Sequence, residues 1–178
     1  MRICIPGLLL TILGFAAGSA TPALGSQLLD FELEDQFGNA HRRSDVQGTI
    51  VLLNGSDKGG VQFNGVWGRA IQEALGDHPA YDQISQLAYA NLRGVPFFLK
   101  KFIRGKFPQE PERWTLMDWK GVIASAYEFE PKATNLLLFA PDGALVLHAS
   151  GRELDEQTLE EVVTALRSLL DEVHDSAN

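Results

Sequence analysis

The segment between Thr49 and Leu75 places the strongest constraint on how this chain folds. It begins with an apolar, β-branched run over 49–53, which predicts a strand buried on both faces. A polar loop containing three glycines follows, from Asn54 to Gly60. Apolar residues then return at helical spacing, at Val66, Trp67, Ala70, Ile71, Ala74 and Leu75. This order of strand, turn and amphipathic helix is typical of an α/β fold.

The first residues have the pattern of an export signal. Arg2 carries the positive charge, the run from Ile3 to Ala17 is almost wholly apolar, and small residues follow it. The sequence therefore predicts a signal peptide over 1–25, cleaved after Gly25 or, as a second choice, after Ala20. A retained membrane anchor is the alternative, although the apolar run is short for a full span. We expect a periplasmic or secreted protein with one domain over 26–178.

Composition excludes several chemistries. The chain has 178 residues with a formal net charge of −8, which argues against nucleic acid as a partner. Its one cysteine, Cys4, lies inside the predicted signal. The mature chain would then hold no disulfide, no thiol nucleophile and no thiolate metal site. The four histidines, at 41, 78, 148 and 174, are dispersed, so we predict surface or capping roles for them and no metal site.

The remaining elements complete a recognisable order. Alternation over 28–33, a turn at 35–39 and a return over 40–43 predict an N-terminal hairpin. A strand in the second half of 82–92, a short strand over 114–117 and a helix over 122–129 follow. Strands over 135–139 and 144–148 flank the turn Pro141-Asp142-Gly143, and the stripe from Leu159 to Val173 predicts a last helix capped by Asp155.

This order resembles the thioredoxin-like superfamily, in particular the exported redoxins related to peroxiredoxins and TlpA-type proteins. The resemblance rests on Phe31-Glu32-Leu33-Glu34-Asp35-Gln36-Phe37-Gly38, on Gly48-Thr49-Ile50-Val51-Leu52-Leu53, on Asn135-Leu136-Leu137-Leu138-Phe139-Ala140-Pro141-Asp142-Gly143, and on Gly151 with the last helix. It implies a three-layer α/β sandwich: a central mixed β-sheet flanked by helices, with an N-terminal β-hairpin and a helical insertion.

The departures from that family bear on function. Where its members carry Cys-x-x-Cys or a peroxidatic cysteine, this loop reads Ser56-Asp57-Lys58-Gly59-Gly60. Where thioredoxins keep a cis-proline, this chain places Thr134, and Pro131 comes three residues too early. Attack on a disulfide or peroxide needs a thiolate, so thiol-dependent catalysis is excluded for the mature chain. We predict no catalytic residue and no cofactor, and we expect Asp118 to cap the helix that follows it.

The loop from Asn54 to Gly60 is a candidate ligand site with two interpretations. Asn54, Ser56, Asp57, Lys58, Gly59 and Gly60 could bind a small anion through backbone N–H groups at a helix N-terminus. The simpler interpretation, which we favour, is a relic turn in which Ser56 or Asp57 caps the helix.

A basic and aromatic segment follows the predicted strand at 82–92. Phe97, Phe98 and Phe102 alternate with cationic residues, which are Lys100, Lys101, Arg104 and Lys106. Pro96 fits the first turn of a short helix and Gly105 its end. Three interpretations stay open: the phenylalanines pack on the sheet (which we favour), they contact a protein partner, or they enter a membrane surface.

Together these patterns favour an exported, redox-inactive protein that acts by binding, as an assembly factor, chaperone or adaptor in the cell envelope. The alternatives are a non-thiol enzyme or carrier of a small anion that uses the 54–60 loop, and a peripheral membrane protein that uses the segment 97–107.

Overall fold

The computed structural model describes residues 23–176; the predicted signal peptide lies almost entirely outside the described residues. The strands are β1 (Glu32–Glu34), β2 (Ala40–Arg42), β3 (Ile50–Ser56), β4 (Ile84–Asn91), β5 (Leu116–Asp118), β6 (Thr134–Phe139) and β7 (Leu145–Gly151). The helices are α1 (Val61–Leu75), α2 (Lys100–Arg104), α3 (Val122–Ala126) and α4 (Glu156–Ser176). Among these described residues, no helix combines the length and apolar character needed to cross a membrane.

Five of the strands form one mixed sheet in the order β5-β4-β3-β6-β7. Strand β3 runs parallel to β4 and antiparallel to β6, and β5 runs parallel to β4. The carboxyl ends of β3, β4 and β5 therefore lie side by side at the same end of the sheet. In α/β folds the loops that follow these strand ends form the sites.

Two apolar cores lie on opposite faces of the sheet. The face that carries Val51 and Leu53 is covered by α3 and the N-terminal residues. The other face, which carries Ile50 and Leu52, is covered by α1 and α4. Because successive side chains of a strand point to opposite faces, the first four residues of β3, Ile50 to Leu53, supply both cores and are all apolar. This explains the uninterrupted apolar run that the sequence shows there.

The N-terminal hairpin of β1 and β2 is held by a buried carboxylate. Asp35 accepts hydrogen bonds from the backbone N–H groups of Phe37 (2.8 Å) and Asn39 (2.9 Å), and it lies 3.1 Å from His41 Nε2. Burial alone would raise the pKa of Asp35, but hydrogen bonds from His41 and Asn39 outweigh it, so the pKa is lowered. Gly38 completes the turn with a φ of +92°.

Some predicted boundaries are wrong. Strand β1 starts at Glu32 rather than at Leu28, because Leu28 donates its N–H to the carbonyl of Gly143, in the turn before β7. The strand predicted in the second half of 82–92 already begins at Ile84. Strand β5 begins at Leu116 rather than at 114. The predicted hairpin, β3, α1, the turn at 141–143 and α4 with its Asp155 cap are confirmed.

Candidate functional site

The glycine-rich turn lies at the carboxyl end of β3, directly before α1. The predicted loop of 54–60 is shorter than expected, since Asn54 and Ser56 belong to β3, where they pair with β4. The side chain of Asn54 also donates to the carbonyl of Asn64 in α1 at 3.0 Å. Asn54 is compatible with a buried strand here because its side chain finds partners on the adjoining helix and strand.

Asp57 occupies the position that one of the two interpretations of this loop gave to a bound anion. Its Oδ1 accepts the backbone N–H groups of Gly59 (2.8 Å) and Gly60 (3.0 Å). Both carboxylate oxygens also lie 3.2 Å from the N–H of Lys132, in the loop before β6. The backbone N–H groups that could bind an anion thus already bind a carboxylate of the chain itself. An external anion would have to displace this carboxylate, while the side chain of Lys58 stays exposed to solvent.

The two residues before α1 have no room for a side chain. Gly60 precedes α1, and a Cβ built there would lie 2.2 Å from the carbonyl oxygen of Ala133. A Cβ on Gly59 would lie 2.7 Å from the side chain of Lys132. Two glycines therefore let the turn pack against the loop that leads into β6. A side chain at the N-terminus of this helix would require that loop to move.

A small polar cluster lies beneath the turn. Thr134 donates its hydroxyl proton to one of two amide oxygens, that of Asn54 at 2.9 Å or that of Asn64 at 2.7 Å. Ser56 is 3% exposed, and its Oγ finds no hydrogen-bond partner within 23–176. No base in the described part of the chain lies within hydrogen-bond distance of this oxygen, so Ser56 is not set up as a nucleophile. No peptide bond of the described residues is cis, including the one at Thr134.

A shallow pocket of about 240 Å³ opens beside Asp57. Arg93, Ser125 and Glu130 line it, and the guanidinium of Arg93 lies 3.4 Å from Ser125 Oγ. The sequence analysis missed these residues. Arg93 could have been found, because it comes just after β4, and parallel neighbouring strands have their carboxyl ends at the same end of the sheet.

The basic and aromatic segment follows β4 at the same end of the sheet. Residues Phe97–Leu99 form a 3-10 turn that leads into α2, with Pro96 before it and Gly105 after it, as predicted. The interpretation that the phenylalanines pack on the sheet is wrong. Phe97 is 81% exposed, Phe98 70% and Phe102 60%. Helix α2 has five residues and no buried one, so it cannot cover the core.

Four cations belong to the same segment as these exposed rings. Lys106 Nζ lies 4.7 Å from the ring centre of Phe102, and Lys100 Nζ lies 4.9 Å from that of Trp119. Arg104 forms an ion pair with Glu34 and so fixes α2 against the N-terminal hairpin. Lys101 has its side chain in solvent. The segment is thus an apolar projection with a positively charged rim, held to the body of the domain.

Asp118 is a capping residue, as predicted. Its carboxylate accepts the N–H groups of Lys120 (3.0 Å), Gly121 (2.7 Å) and Ile123 (3.0 Å) at the start of α3. It also accepts the hydroxyl proton of Tyr89 at 2.9 Å. Burial, and next the charge of Asp118, raise the pKa of Tyr89. The carboxylate of Asp118 therefore has a structural role.

The histidines occupy different environments. His41 stacks on Trp114 at 4.0 Å, and the ring of His78 caps a turn by accepting the N–H of Ala80. His148 is neither a surface nor a capping residue, contrary to the prediction. It is half-buried on β7, where burial lowers the pKa of its ring. Within 23–176, no cluster of three or more potential metal ligands is found.

Comparison with known proteins supports the fold alone. No protein-family model and no curated protein matches this chain. A protein of Chlorobium tepidum assigned as a thiol:disulfide interchange protein, DsbE, matches with a TM-score of 0.58 at 16% identity, over 83% of this chain and 98% of that one. The exposed lipoprotein thioredoxin of Streptococcus pneumoniae matches with a TM-score of 0.54 at 18% identity, over 76% and 98%. BsSco, of the Sco family of cytochrome c oxidase assembly proteins, matches with 0.56 at 11%, over 83% and 95%.

These neighbours are thioredoxin-like proteins, and the chain has the thioredoxin-like α/β fold that the sequence predicted. The mixed five-stranded sheet, the flanking helices and the N-terminal hairpin are all present. Many such neighbours are redox proteins, whereas residues 5–178 of this chain contain no cysteine.

Proposed function

We propose that this protein is an exported, redox-inactive thioredoxin-like domain that acts by binding a protein partner in the cell envelope. The observation that carries the proposal is the exposed apolar projection at 97–107. Three phenylalanines that the fold does not bury lie beside four cations, in a chain whose formal net charge is −8. Exposed aromatic clusters with a polar rim are typical of interaction sites.

The absence of thiol chemistry at the turn before α1 supports a binding role. Gly60 lies directly before α1, in the turn from Ser56 to Gly60 that stands where the fold family carries its cysteines, and its surroundings leave no space for a side chain. The adjoining N–H groups donate to Asp57 rather than to a ligand. The domain keeps its sheet and both cores while the turn is closed, which favours use of the fold as a scaffold.

Charge defines the kind of partner. The cations of the projection are Lys100, Lys101, Arg104 and Lys106, and Arg104 is already paired with Glu34. The partner surface that complements this rim is an apolar groove bordered by carboxylates. Such a surface on an assembly partner is consistent with the match to BsSco, which belongs to a family of assembly proteins.

Photo-crosslinking from the projection tests this function. A photoreactive phenylalanine analogue placed at position 98 is activated in cells of the source organism, and the adducts are identified by mass spectrometry. We expect one dominant protein adduct. Binding of that protein to purified wild-type chain should weaken sharply in a Phe98→Ser, Phe102→Ser variant, since loss of each aromatic anchor costs about 2 kcal/mol or more at an interface centre.

A matched control separates this site from general hydrophobic contact. Val66 and Leu154 are also exposed apolar residues, and they lie outside the projection. A Val66→Ser, Leu154→Ser variant should bind the partner as the wild type does. Equal loss in both variants would contradict the proposal. Adducts with lipid rather than protein, together with flotation on anionic vesicles that Lys100→Glu and Lys101→Glu abolish, would instead establish the membrane-surface alternative.

A further inference from the structure

Strand β4 is paired along its whole length on one side but only in part on the other. Its inner neighbour β3 pairs with it from Ile84 to Ala90. Its outer neighbour β5 pairs with it only from Tyr89 to Asn91. Among the described strands, none pairs with the outer side of residues 84–88. About half of β4 is thus an open edge of the sheet, at the opposite end of the strand from the projection at 97–107.

The hydrogen-bonding groups of this edge can be assigned. Leu92 donates its N–H to the carbonyl of Asp118, the last residue of β5, so even-numbered residues of β4 direct their backbone groups outward. The open groups are therefore the carbonyl of Ile84, the N–H and carbonyl of Gln86, and the N–H of Ala88. They alternate as acceptor, donor, acceptor and donor, which is the pattern that an extended backbone complements.

A buried glutamine explains why β5 does not cover this edge. Gln36 donates from Nε2 to the carbonyls of Pro108 (2.9 Å) and Arg113 (3.0 Å). Its Oε1 accepts the N–H of Thr115 at 2.8 Å. These three hydrogen bonds tie the linker before β5 to the N-terminal hairpin. They hold this linker away from the line of β4, and the pairing begins only at Leu116.

A pocket of about 250 Å³ lies beside the open edge. Its walls come from Phe31, the hairpin and the linker before β5, where His41 stacks on Trp114, and its floor is Ser85 and Leu87 of β4. The nearby charges are paired within the chain: Arg42 with Glu32, and Asp45 with the N–H of Arg42. Such a pocket suits one apolar side chain.

We propose that the open edge of β4 binds an extended segment of a partner polypeptide as an added strand. The segment would continue the line of β5 along residues 84–88 and place one leucine-sized or phenylalanine-sized side chain in the pocket between His41, Trp114 and Leu87. Backbone hydrogen bonds supply affinity in this mode, and the pocket supplies specificity. The proposal is independent of the projection at 97–107.

The test uses the domain without its predicted signal and a synthetic peptide of alternating threonine and valine with a central leucine. We expect fluorescence anisotropy to report binding with a Kd below about 1 mM. The N–H resonances of Gln86 and Ala88 should shift on binding, and their hydrogen exchange should slow. Replacing the central leucine by aspartate should abolish binding, because the pocket would bury an unpaired charge.

One position of the chain offers a matched pair of variants. Gln86→Pro removes the outward N–H without removing a bond to β3, and an edge strand tolerates proline. It should weaken peptide binding about tenfold or more, since the incoming strand loses a hydrogen bond and meets the ring. Gln86→Lys keeps the N–H and should bind within about twofold of wild type. Urea unfolding of both variants verifies that they fold.

Three outcomes would overturn the proposal. The first is no binding of the leucine peptide, and the second is equal binding by the folded Gln86→Pro and Gln86→Lys variants. The third is a dimer of the wild-type chain in sedimentation that Gln86→Pro converts to a monomer, which would show that a second copy covers the edge.

Discussion

Gly60 is the residue at which the closed turn can be tested directly. Its backbone is in the right-handed helical region (φ −98°), so a side chain is disfavoured by contact alone and not by φ. We expect Gly60→Ala to lower the free energy of unfolding by about 1–3 kcal/mol, the usual range for overpacking, because the new Cβ meets the carbonyl of Ala133. Urea denaturation measures the change.

Gly65 provides the control for this substitution. It lies inside α1, and a Cβ built there finds no atom within 4 Å. Gly65→Ala should therefore stabilise the protein by up to about 1 kcal/mol, since alanine is the better helix former. A neutral or stabilising Gly60→Ala would show that the 130–133 loop moves aside at little cost, and the argument for a closed turn would fail.

The sequence shows at residue scale which chemistry is missing, but not what replaces it. The absence of cysteine after Cys4 is a matter of composition. The capture of Gly59 and Gly60 by Asp57 could be anticipated as local turn chemistry. The contact with Lys132 could not, because it joins residues 75 positions apart in the chain. Local patterns predict local bonds only.

Among the helices and strands, too, some features could be predicted from the sequence and others could not. Helix α4 and strand β3 were predicted because each has a long, regular apolar pattern that packing reinforces. The ends of the short strands were predicted wrongly, because contacts with distant parts of the chain, such as the hydrogen bonds of Gln36 to the linker before β5, decide where pairing begins. The helical segment at 97–104 could be predicted from the residues that flank it, but the exposure of its phenylalanines could not. An amphipathic pattern does not specify what the apolar face meets.

Asp118 joins three elements, and its removal should affect all of them. Asp118→Ala leaves the hydroxyl of Tyr89 and the N–H groups at the start of α3 without their acceptor, in a site that is 0% exposed. We expect a loss of about 3 kcal/mol or more of unfolding free energy, given about 1–3 kcal/mol for each buried group left unsatisfied. Chemical denaturation gives the value.

Asp155 is the matched comparison, since it caps α4 in the same way but in solvent. Asp155→Ala should cost clearly less stability than Asp118→Ala, because water can replace the lost bond. If the two variants lost equal stability, burial would not be what makes the Asp118 bonds important. The assignment of Asp118 as the junction between β4, β5 and α3 would then be wrong.

The whole molecule depends on strands that serve two cores at once. Leu53 of β3 and Leu137 of β6 face the core under α3, while Leu52 and Leu138 face the core under α1 and α4. Neither core can lose its packing without displacing a strand that the other one needs. We therefore expect the two faces of the sheet to unfold together in one cooperative transition.

Tryptophan fluorescence can report each face separately. Trp67 is 1% exposed in the core under α1 and α4, whereas Trp114 packs against the opposite core. A Trp114→Phe, Trp119→Phe variant leaves Trp67 as the emitter, and Trp67→Phe leaves the other two. Each substitution changes stability by itself, so the fluorescence midpoint in urea is compared with the circular dichroism midpoint of the same variant. Coincident midpoints in both variants are expected. A fluorescence transition that precedes loss of secondary structure in either one would mean that its core melts first, and that β3 and β6 do not couple the two faces.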